Sequence, residues 1–103
     1  MAQKIHGMTE PPRGNRLNER VKDVVDVILM RELLGERAGL RRVCVALFEA
    51  RATHRWPPHL DVHEHWRAEF GRLAAEHDLG VDSLEEGVKQ VQDLIAQIDR
   101  QGE

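Results

Sequence analysis

The sequence of 103 residues predicts an all-α fold, a bundle of about five helices. Apolar residues recur at helical spacing through most of the chain. Proline and glycine interrupt that pattern at intervals that separate one helix from the next. No stretch gives a confident strand pattern. The length allows one small domain at most.

The first predicted helix is short and covers residues 2–9. A run with two prolines and a glycine follows over residues 10–15 and predicts a loop. Because the first 20 residues contain few apolar side chains and a long loop, we expect them to be poorly anchored. We therefore divide the chain into residues 1–20, the remnant of a domain junction, and a C-terminal helical domain over residues 21–103.

The second predicted helix begins near Asn18, a residue type suited to cap a helix N-terminus, and runs to about Leu34. A glycine follows in the position where helices commonly end. The second half of this helix is apolar nearly all round, because Leu29, Met30 and Leu33 fall on the same side as the charges of its first half. A helix of this kind is usually buried on both faces.

The third and fourth predicted helices cover about residues 38–51 and 62–78. Asp61 is the expected cap of the fourth helix, and Gly80 is its expected stop. Each helix has an apolar stripe at helical spacing. The stripe residues are Leu40, Val43, Cys44, Leu47 and Phe48 in the third helix, and Trp66, Phe70, Leu73 and Ala74 in the fourth.

The last predicted helix starts from a cap at Asp82 or Ser83 and runs to about Asp99. Acidic residues in its first turn favour this start, because they interact well with the positive end of the helix dipole. Its apolar stripe is Leu84, Val88, Val91, Leu94, Ile95 and Ile98.

The composition excludes several classes of function. A formal net charge of −3 gives no overall attraction to nucleic acid or to an anionic membrane. The sequence shows no signal peptide and no apolar stretch of transmembrane length. The only cysteine, Cys44, lies in an apolar run, which favours a small core residue over a nucleophile. We expect a cytoplasmic protein without a membrane partner.

Six histidines raise the hypothesis of a metal site. His63 and His65 form an H-x-H pair, with His54 and His59 nearby. Only His59 and His63 have the i,i+4 spacing that suits a metal on a helix, and they span an expected boundary between loop and helix. We therefore favour surface histidines and predict no metal site.

The second helix opens with a dense turn of charge. At about 100° per residue, Lys22, Asp23 and Asp26 share one side of it. Two interpretations remain open. If the helix is buried on both faces, these charges face a surface that something else covers, because charge beside a buried surface is costly unless paired or used. Alternatively, Lys22 and Asp26 form an i,i+4 ion pair on a solvated face, worth about 0.3 kcal/mol.

Several segments carry these residues in a recognisable order. The first two are Ala2-Gln3-Lys4-Ile5-His6 and Arg20-Val21-Lys22-Asp23-Val24-Val25-Asp26-Val27. The later segments contribute Phe48, Arg51, Thr53, His54 and Pro57, and then Trp66, Phe70, Leu73, Ala74 and Glu76. In this order they resemble the A-E-K-L-H segment, the R-x-K-D-h-x-D-h motif, the F-x-x-R-x-T-H-x-x-P stretch and the following helix of the AbiEii/AbiGii nucleotidyl transferase toxins, where h is an apolar residue. The last helix also fits. The resemblance covers nearly the whole chain.

This resemblance implies a fold and a reaction. The toxins are similar to nucleotidyltransferases of the DNA polymerase β type, and the chain resembles their C-terminal helical domain. The family transfers a nucleotide from a nucleoside triphosphate to an acceptor with Mg²⁺, and tRNA 3′ ends are acceptors of some members. Its members are the toxic half of bacterial toxin–antitoxin and abortive-infection systems. The antitoxin is typically a separate winged-helix protein.

The resemblance also implies roles for single residues. Lys4 matches the lysine that contacts the triphosphate, a task that suits a compact cation. Lys22 and Asp23 match the last catalytic motif, whose carboxylate acts as a base or supports the catalytic lysine, and Asp26 shares that role. Arg20 either pairs with Asp23 or holds phosphate.

The family's catalytic core lies upstream of the A-E-K-L-H segment and contributes a Gly-Ser loop and a D-x-D carboxylate pair. The present sequence contains neither element, and transfer by two metal ions needs the carboxylates. We therefore expect a truncated C-terminal fragment that is inactive without its N-terminal nucleotidyltransferase domain. Mg²⁺ and nucleoside triphosphate are cofactors of the intact family, and none is expected for this chain alone.

The expected partners are an antitoxin and, through the intact toxin, tRNA. An alternative is a non-catalytic helical binding module that contacts an antitoxin or another protein, and a third possibility is a helical domain with no surviving function. Without a catalytic core beside them, Leu29, Met30 and Leu33 are expected to be exposed and to favour weak self-association.

Overall fold

The structure is a computed structural model that describes residues 1–11, 17–31, 38–81 and 83–101. Within these ranges the chain is all-helical, which confirms the predicted fold class. A 3₁₀ turn at Glu64–Trp66 leads directly into the fourth helix. In chain order the α-helices are α1 (Ala2–Thr9), α2 (Val21–Met30), α3 (Ala38–Arg51), α4 (Arg67–Glu76) and α5 (Leu84–Gln101). None of the described helices combines the length and apolarity that crossing a membrane requires.

Helix α2 lies at the centre of the bundle, where it contacts α1, α4 and α5. Five of its apolar residues are buried, namely Val21, Val24, Val25, Val27 and Ile28, but Leu29 is exposed and Met30 is partly buried, so burial on both faces is incomplete. The cover comes from helices of this same chain. The predicted continuation of α2 to Leu34 and the glycine stop lie outside the described residues.

Helix α5 closes the bundle with the predicted apolar stripe, and all six residues of that stripe are buried. It packs against α2, α3 and α4. The contact with α4 is so close that a Cβ atom at Gly87 would lie 2.5 Å from the ring of Phe70. A larger residue at that position would have to push the ring away, so glycine sets the distance between the two helices.

Helix α1 is firmly packed, so the expectation of poor anchoring is wrong for this helix; residues 12–16 of the same segment lie outside the described residues. Ala2, Ile5 and Met8 are buried in the common core, and α1 contacts both α2 and α3. Three apolar residues at helical spacing are sufficient because two neighbouring helices cover them. The interpretation of residues 1–20 as the remnant of a domain junction stays a prediction.

Two helix starts differ from the prediction. The N-cap of α2 is Arg20 rather than Asn18, and no side chain caps it. Asp61 is not a cap either, because the backbone is extended at His63 before the 3₁₀ turn begins. The Asp61 carboxylate lies 3.4 Å from the His59 ring instead.

Two helix ends are formed by residues other than glycine. Helix α4 ends at Glu76, and the left-handed residue that terminates it is Asp78, with φ 48°, rather than Gly80 alone. Helix α3 ends in the same way at Ala52, with φ 55°, whose N–H donates to the Phe48 carbonyl. Alanine rarely adopts this conformation, because its Cβ crowds the following carbonyl.

The remaining predictions for the helices are largely confirmed. Helix α3 has the predicted bounds, and Cys44 and Phe48 are buried. Val43 is 56% exposed and does not belong to the buried stripe, because it lies one residue away from the face that α1 and α5 cover. The Ser83 hydroxyl accepts the N–H of Glu86 and caps α5, whereas Asp82 lies outside the described residues.

Candidate functional site

The structure brings four of the predicted site residues into one group, the Lys4 cluster, made of Lys4, Arg20, Asp23 and Asp26. Lys4 Nζ donates a hydrogen bond of 2.9 Å to Asp26 Oδ2 and lies 3.6 Å from Asp23 Oδ1. Arg20 Nη2 lies 2.6 Å from Asp23 Oδ2. The cluster joins α1 to α2 across 22 positions of sequence.

Helix geometry explains how the cluster forms. Asp23 and Asp26 are three residues apart on α2 and face the same way, toward α1. Arg20 precedes α2 and lays its guanidinium against Gly7 of α1, where a Cβ atom would lie 2.8 Å from Arg20 Cζ. Glycine at this position therefore leaves the space in which Arg20 reaches Asp23.

The surroundings of the cluster keep Lys4 charged. The hydrogen bond to Asp26 raises the pKa of Lys4 most, and attraction to the Asp26 and Asp23 charges raises it further, whereas partial burial opposes them. The Asp23 side chain is 10% exposed, and that of Lys4 is 34% exposed. The ammonium is thus held in place by one buried and one partly buried carboxylate while part of the Lys4 side chain still faces solvent.

Asp23 is the least satisfied member of the cluster. Its Oδ2 atom is buried and accepts no hydrogen bond from the described residues, although Arg20 Nη2 is close. The two groups attract each other as charges, but the guanidinium N–H does not point at this oxygen. The predicted i,i+3 pairing of Arg20 with Asp23 is nevertheless confirmed.

Lys22 stands outside the cluster. Its side chain is exposed, and no carboxylate of the described residues lies within ion-pair distance of it. The alternative i,i+4 pair between Lys22 and Asp26 is therefore not formed, because Asp26 pairs with Lys4 instead. The carboxylates do face a covered surface, but the cover is α1 of this chain and not the catalytic core that the resemblance to the toxins implies.

Asn18 is a connecting residue that the sequence did not reveal. Its buried side-chain amide donates to the carbonyls of Gly7, Met8 and Glu10, at 3.0, 3.2 and 2.9 Å, and so closes the C-terminal end of α1. Its Oδ1 atom accepts the N–H of Arg20. The amide therefore joins the end of α1 to the start of α2. Asparagine before a helix is a common N-cap signal, which is why the pattern indicated the wrong helix end.

The backbone of Asn18 extends the same connection to the 3₁₀ turn before α4. Its carbonyl accepts a hydrogen bond of 2.7 Å from Trp66 Nε1, and the ring of His65 lies 2.6 Å away through Nε2. A carbonyl oxygen can only accept hydrogen bonds, so Trp66 Nε1 and His65 Nε2 both carry a hydrogen. One residue thus orients three helix ends around the Lys4 cluster.

A second polar network, the His–Thr relay, lies between α1 and the segment after α3. It consists of His6, Thr9, Thr53 and His54. His6 Nε2 lies 2.9 Å from Thr53 Oγ1, His54 Nδ1 lies 3.2 Å from the same oxygen, and His54 Nε2 lies 2.8 Å from Thr9 Oγ1. Thr53 and His54 belong to the F-x-x-R-x-T-H-x-x-P stretch, to which the resemblance assigns no role.

Among the histidines weighed above, the surface interpretation is confirmed for His59 and His65, which are exposed. It is wrong for His54 and His63, which are partly buried and whose pKa values are lowered chiefly by burial. His63 packs against Trp66, with ring centroids 4.4 Å apart. Helical spacing did not predict this contact between rings, because His63 lies before the start of the helix.

The described residues do not fit the Mg²⁺ of the resembled family. They contain no group of three or more histidine, cysteine or acidic side chains that could hold a metal ion. The carboxylates of Asp23 and Asp26 come closest to such a group. Lys4 and Arg20 already balance their charge and lie beside their oxygen atoms. The arrangement suits the positioning of the Lys4 ammonium better than the binding of a metal ion.

Cys44 is a core residue, as the sequence favoured. It is fully buried, and burial raises the pKa of its thiol to about 11. A thiol in this state is not a nucleophile at neutral pH.

No protein-family model matches the chain, and no curated protein matches it. The resemblance to the nucleotidyl transferase toxins consequently rests on the motif residues alone. Any function is argued from those residues and from the geometry in which they meet.

Proposed function

We propose that this chain is the C-terminal helical part of a nucleotidyltransferase toxin that transfers a nucleotide from a nucleoside triphosphate to an RNA acceptor such as tRNA. One observation carries the proposal. Residues from two separate motif segments, Lys4 from the first and Arg20, Asp23 and Asp26 from the second, meet in a single cluster. Four motif residues that served only to stabilise separate helices would not need to meet.

The chemistry of the cluster suits phosphate binding. Lys4 is a compact cation that is partly exposed, and two carboxylates fix its direction. Asp23 and Asp26 act in this proposal as positioning residues, because they contact the lysine and not the reacting atoms. Arg20, with 54% of its side chain exposed, can add a second contact to phosphate oxygens. Lys22 remains a candidate only through its place in the motif.

The transfer itself requires groups that this sequence lacks. The Gly-Ser loop and the D-x-D carboxylates are absent from it, so the chain alone supplies a held cation and no metal site. We therefore propose that the chain is inactive by itself and completes a site whose metal ligands come from a nucleotidyltransferase domain. An antitoxin partner and a cytoplasmic location are part of the same proposal.

The first test is the DNA sequence upstream of the Met1 codon. We expect an in-frame segment that encodes a Gly-Ser loop and a D-x-D pair, or the same motifs in a separate or shifted frame. The absence of both motifs from every upstream frame would contradict membership of this toxin family and favour the binding-module alternative.

The second test is a transfer assay with labelled nucleoside triphosphates, Mg²⁺ and tRNA. The present chain should transfer nothing, and the protein expressed from the longer reading frame should transfer nucleotide. In that longer protein, Lys4→Ala should reduce transfer by about 100-fold or more, because a positioned contact to developing charge is lost. Lys89→Ala, an exposed lysine on α5, is the matched control and should have no effect. Transfer by the present chain alone would contradict the proposal.

A second candidate is the binding module, favoured by exposed apolar residues. Leu29 is 41% exposed and Met30 is partly buried, whereas Leu33 lies outside the described residues. This module would bind an antitoxin or another protein through Leu29 or associate weakly with itself. Capture of the neighbouring gene product should fall on Leu29→Asp substitution. A mass by light scattering that stays monomeric at all concentrations would contradict self-association.

A further inference from the structure

The direction of each hydrogen bond in the His–Thr relay follows from Thr9, whose role as a donor is fixed by its partner. Thr9 Oγ1 lies 2.7 Å from the carbonyl oxygen of Ile5, and a carbonyl can only accept, so the Thr9 hydroxyl donates to Ile5. Having donated its only hydrogen, Thr9 must accept from His54 Nε2 at 2.8 Å. His54 therefore carries a hydrogen on Nε2.

The remaining bonds follow from this assignment. A neutral imidazole with hydrogen on Nε2 has an acceptor at Nδ1, and Thr53 donates to it. The Thr53 oxygen in turn accepts from His6 Nε2. The geometry thus assigns one direction of donation, from His6 through Thr53, His54 and Thr9 to Ile5. Every hydroxyl in it donates once and accepts once, and the ring of His54 is neutral.

Protonation of His54 breaks this order. A hydrogen on Nδ1 would point at the Thr53 hydroxyl hydrogen, which would have to turn away. The positive ring would lie against His6, at a centroid distance of 4.8 Å, in a partly buried position. Both losses would fall on the contact that joins α1 to the residues after α3.

The other charged groups around His54 come from three segments. Glu10, directly after α1, favours the protonated form, and Glu49 of α3 and Arg55 of the following segment line the same pocket as His54. Burial is the largest influence and His6 adds to it, so that together they outweigh Glu10 and the pKa of His54 is lowered. A lowered pKa means that the folded state prefers neutral His54.

We propose that the His–Thr relay is a pH-sensitive latch that fastens α1 to the bundle when His54 is neutral and releases α1 when His54 is protonated. Because α1 carries Lys4, its release withdraws Lys4 from Asp26 and Asp23 and dismantles the Lys4 cluster. This inference does not depend on the proposed function, because the latch and the cluster are defined by contacts and not by activity.

The sign of the pH effect follows from the lowered pKa of His54. The latch contributes its full stability above the ordinary histidine value, about 6.5, and loses it as the pH falls through the lowered value of the folded state. In the range between the two, the equilibrium constant for α1 opening should rise by up to about tenfold per pH unit.

Hydrogen exchange on the unmodified chain from pH 8 to pH 5 tests the proposal. After correction for the intrinsic exchange rate, amides of α1 should lose protection on acidification before those of α5. Long-range ¹H–¹⁵N spectra at pH 7.5 should show His6 and His54 with hydrogen on Nε2. Loss of protection in α1 and α5 together, constant protection of α1, or hydrogen on Nδ1 of His54 would each overturn it.

Two variants separate the latch from other histidines. His54→Gln keeps an N–H donor for Thr9 but cannot be protonated, so α1 should stay protected at pH 5. His63→Gln is the matched control, because His63 also has a lowered pKa but packs on Trp66, and α1 should still open in acid. If His63→Gln abolishes the acid opening of α1 and His54→Gln does not, the latch is refuted.

Discussion

Charged residues are used differently at the two ends of the molecule. Around α4 and the first half of α5, ion pairs are exposed, and most join residues three or four apart: Arg67 with Glu64 and Glu85, Arg72 with Glu69 and Glu76, and Lys89 with Asp93. One partly buried pair, Arg41 with Asp99, joins α3 to the last turns of α5. Between α1 and α2, Lys4 pairs with carboxylates on another helix, and Asp23 is nearly buried. Local exposed pairs add little stability, whereas pairs between helices fix a geometry.

Buried apolar side chains, by contrast, are more numerous on α5 than on α1. Helix α5 is held by six buried apolar side chains, and α1 by Ala2, Ile5 and Met8 together with the Asn18 amide, the His–Thr relay and the Lys4 cluster. Apolar contact is tolerant of direction, and hydrogen bonds are not. The comparison teaches that α5 supplies cohesion, while α1 is attached in one defined orientation that places Lys4.

The largest effect is expected in the apolar half. Ile98 is fully buried on α5, and Ile98→Ala should lower the free energy of unfolding by about 3 to 4 kcal/mol through lost burial and a cavity. Ile98→Val, which removes a single methylene, should cost about 1 kcal/mol. Urea unfolding measures both. A loss below that of the valine variant would mean that α5 does not provide the main cohesion.

A comparable effect is expected from one polar residue at the other end. Asn18→Ala would remove the buried donor that the carbonyls of Gly7, Met8 and Glu10 share, although Gly7 still accepts the Glu10 N–H, and should cost about 2 to 3 kcal/mol. Gln3→Ala removes an exposed amide from α1 and should change stability by less than about 0.5 kcal/mol. Equal effects of the two variants in urea unfolding would show that the Asn18 contacts do not anchor α1.

A double-mutant cycle on Lys4→Met and Asp26→Asn sharpens the comparison of charges. The coupling should be about 1 kcal/mol, a value reduced by solvent screening because a third of the Lys4 side chain is exposed. The corresponding cycle on Arg72 and Glu69, an exposed local pair, should give a smaller coupling that salt removes. A larger coupling for the exposed pair would contradict the contrast between the two ends.

The smallest effect concerns the two left-handed helix ends. Ala52→Gly should raise the free energy of unfolding by roughly 0.5 to 1 kcal/mol, because the strain of the left-handed alanine exceeds the entropy cost of glycine. Asp78→Gly should gain less, since aspartate tolerates this conformation better. Ala46→Gly, at an exposed position inside α3, should instead cost about 1 kcal/mol. A loss of stability in Ala52→Gly would contradict the strain.

The sequence predicted the helices because helix formation depends on local spacing. The bounds of α1 and α3, the buried stripe of α5 and the buried Cys44 were all available from residues a few positions apart. The exposure of Val43 and the extended segment after Asp61 were not, since they depend on which neighbouring helix covers each face.

Four of the five predicted site residues meet in the structure and Lys22 does not, but the sequence did not predict which of them would be in contact. The charges on α2 indicated that something covers Asp23 and Asp26, yet Lys4 lies 22 positions from Asp26, and no periodicity connects them. The role of Asn18 was hidden for the same reason, because its amide serves carbonyls 8 to 11 positions earlier. Pairing between helices is decided by the tertiary arrangement, which composition and spacing leave open.

The two tryptophans make the molecule its own fluorescent reporter. There is no tyrosine, so ultraviolet emission comes from Trp56 and Trp66 alone. The indole N–H of Trp66 is bonded to the Asn18 carbonyl, and that of Trp56 is bonded to Asp99 Oδ1 on α5. In a variant in which Trp56 is replaced by phenylalanine, emission from Trp66 reports on the helix ends that meet at Asn18. In a variant in which Trp66 is replaced, emission from Trp56 reports on the packing of α5. The order in which the two ends of the bundle come apart can therefore be read by light, without any attached label.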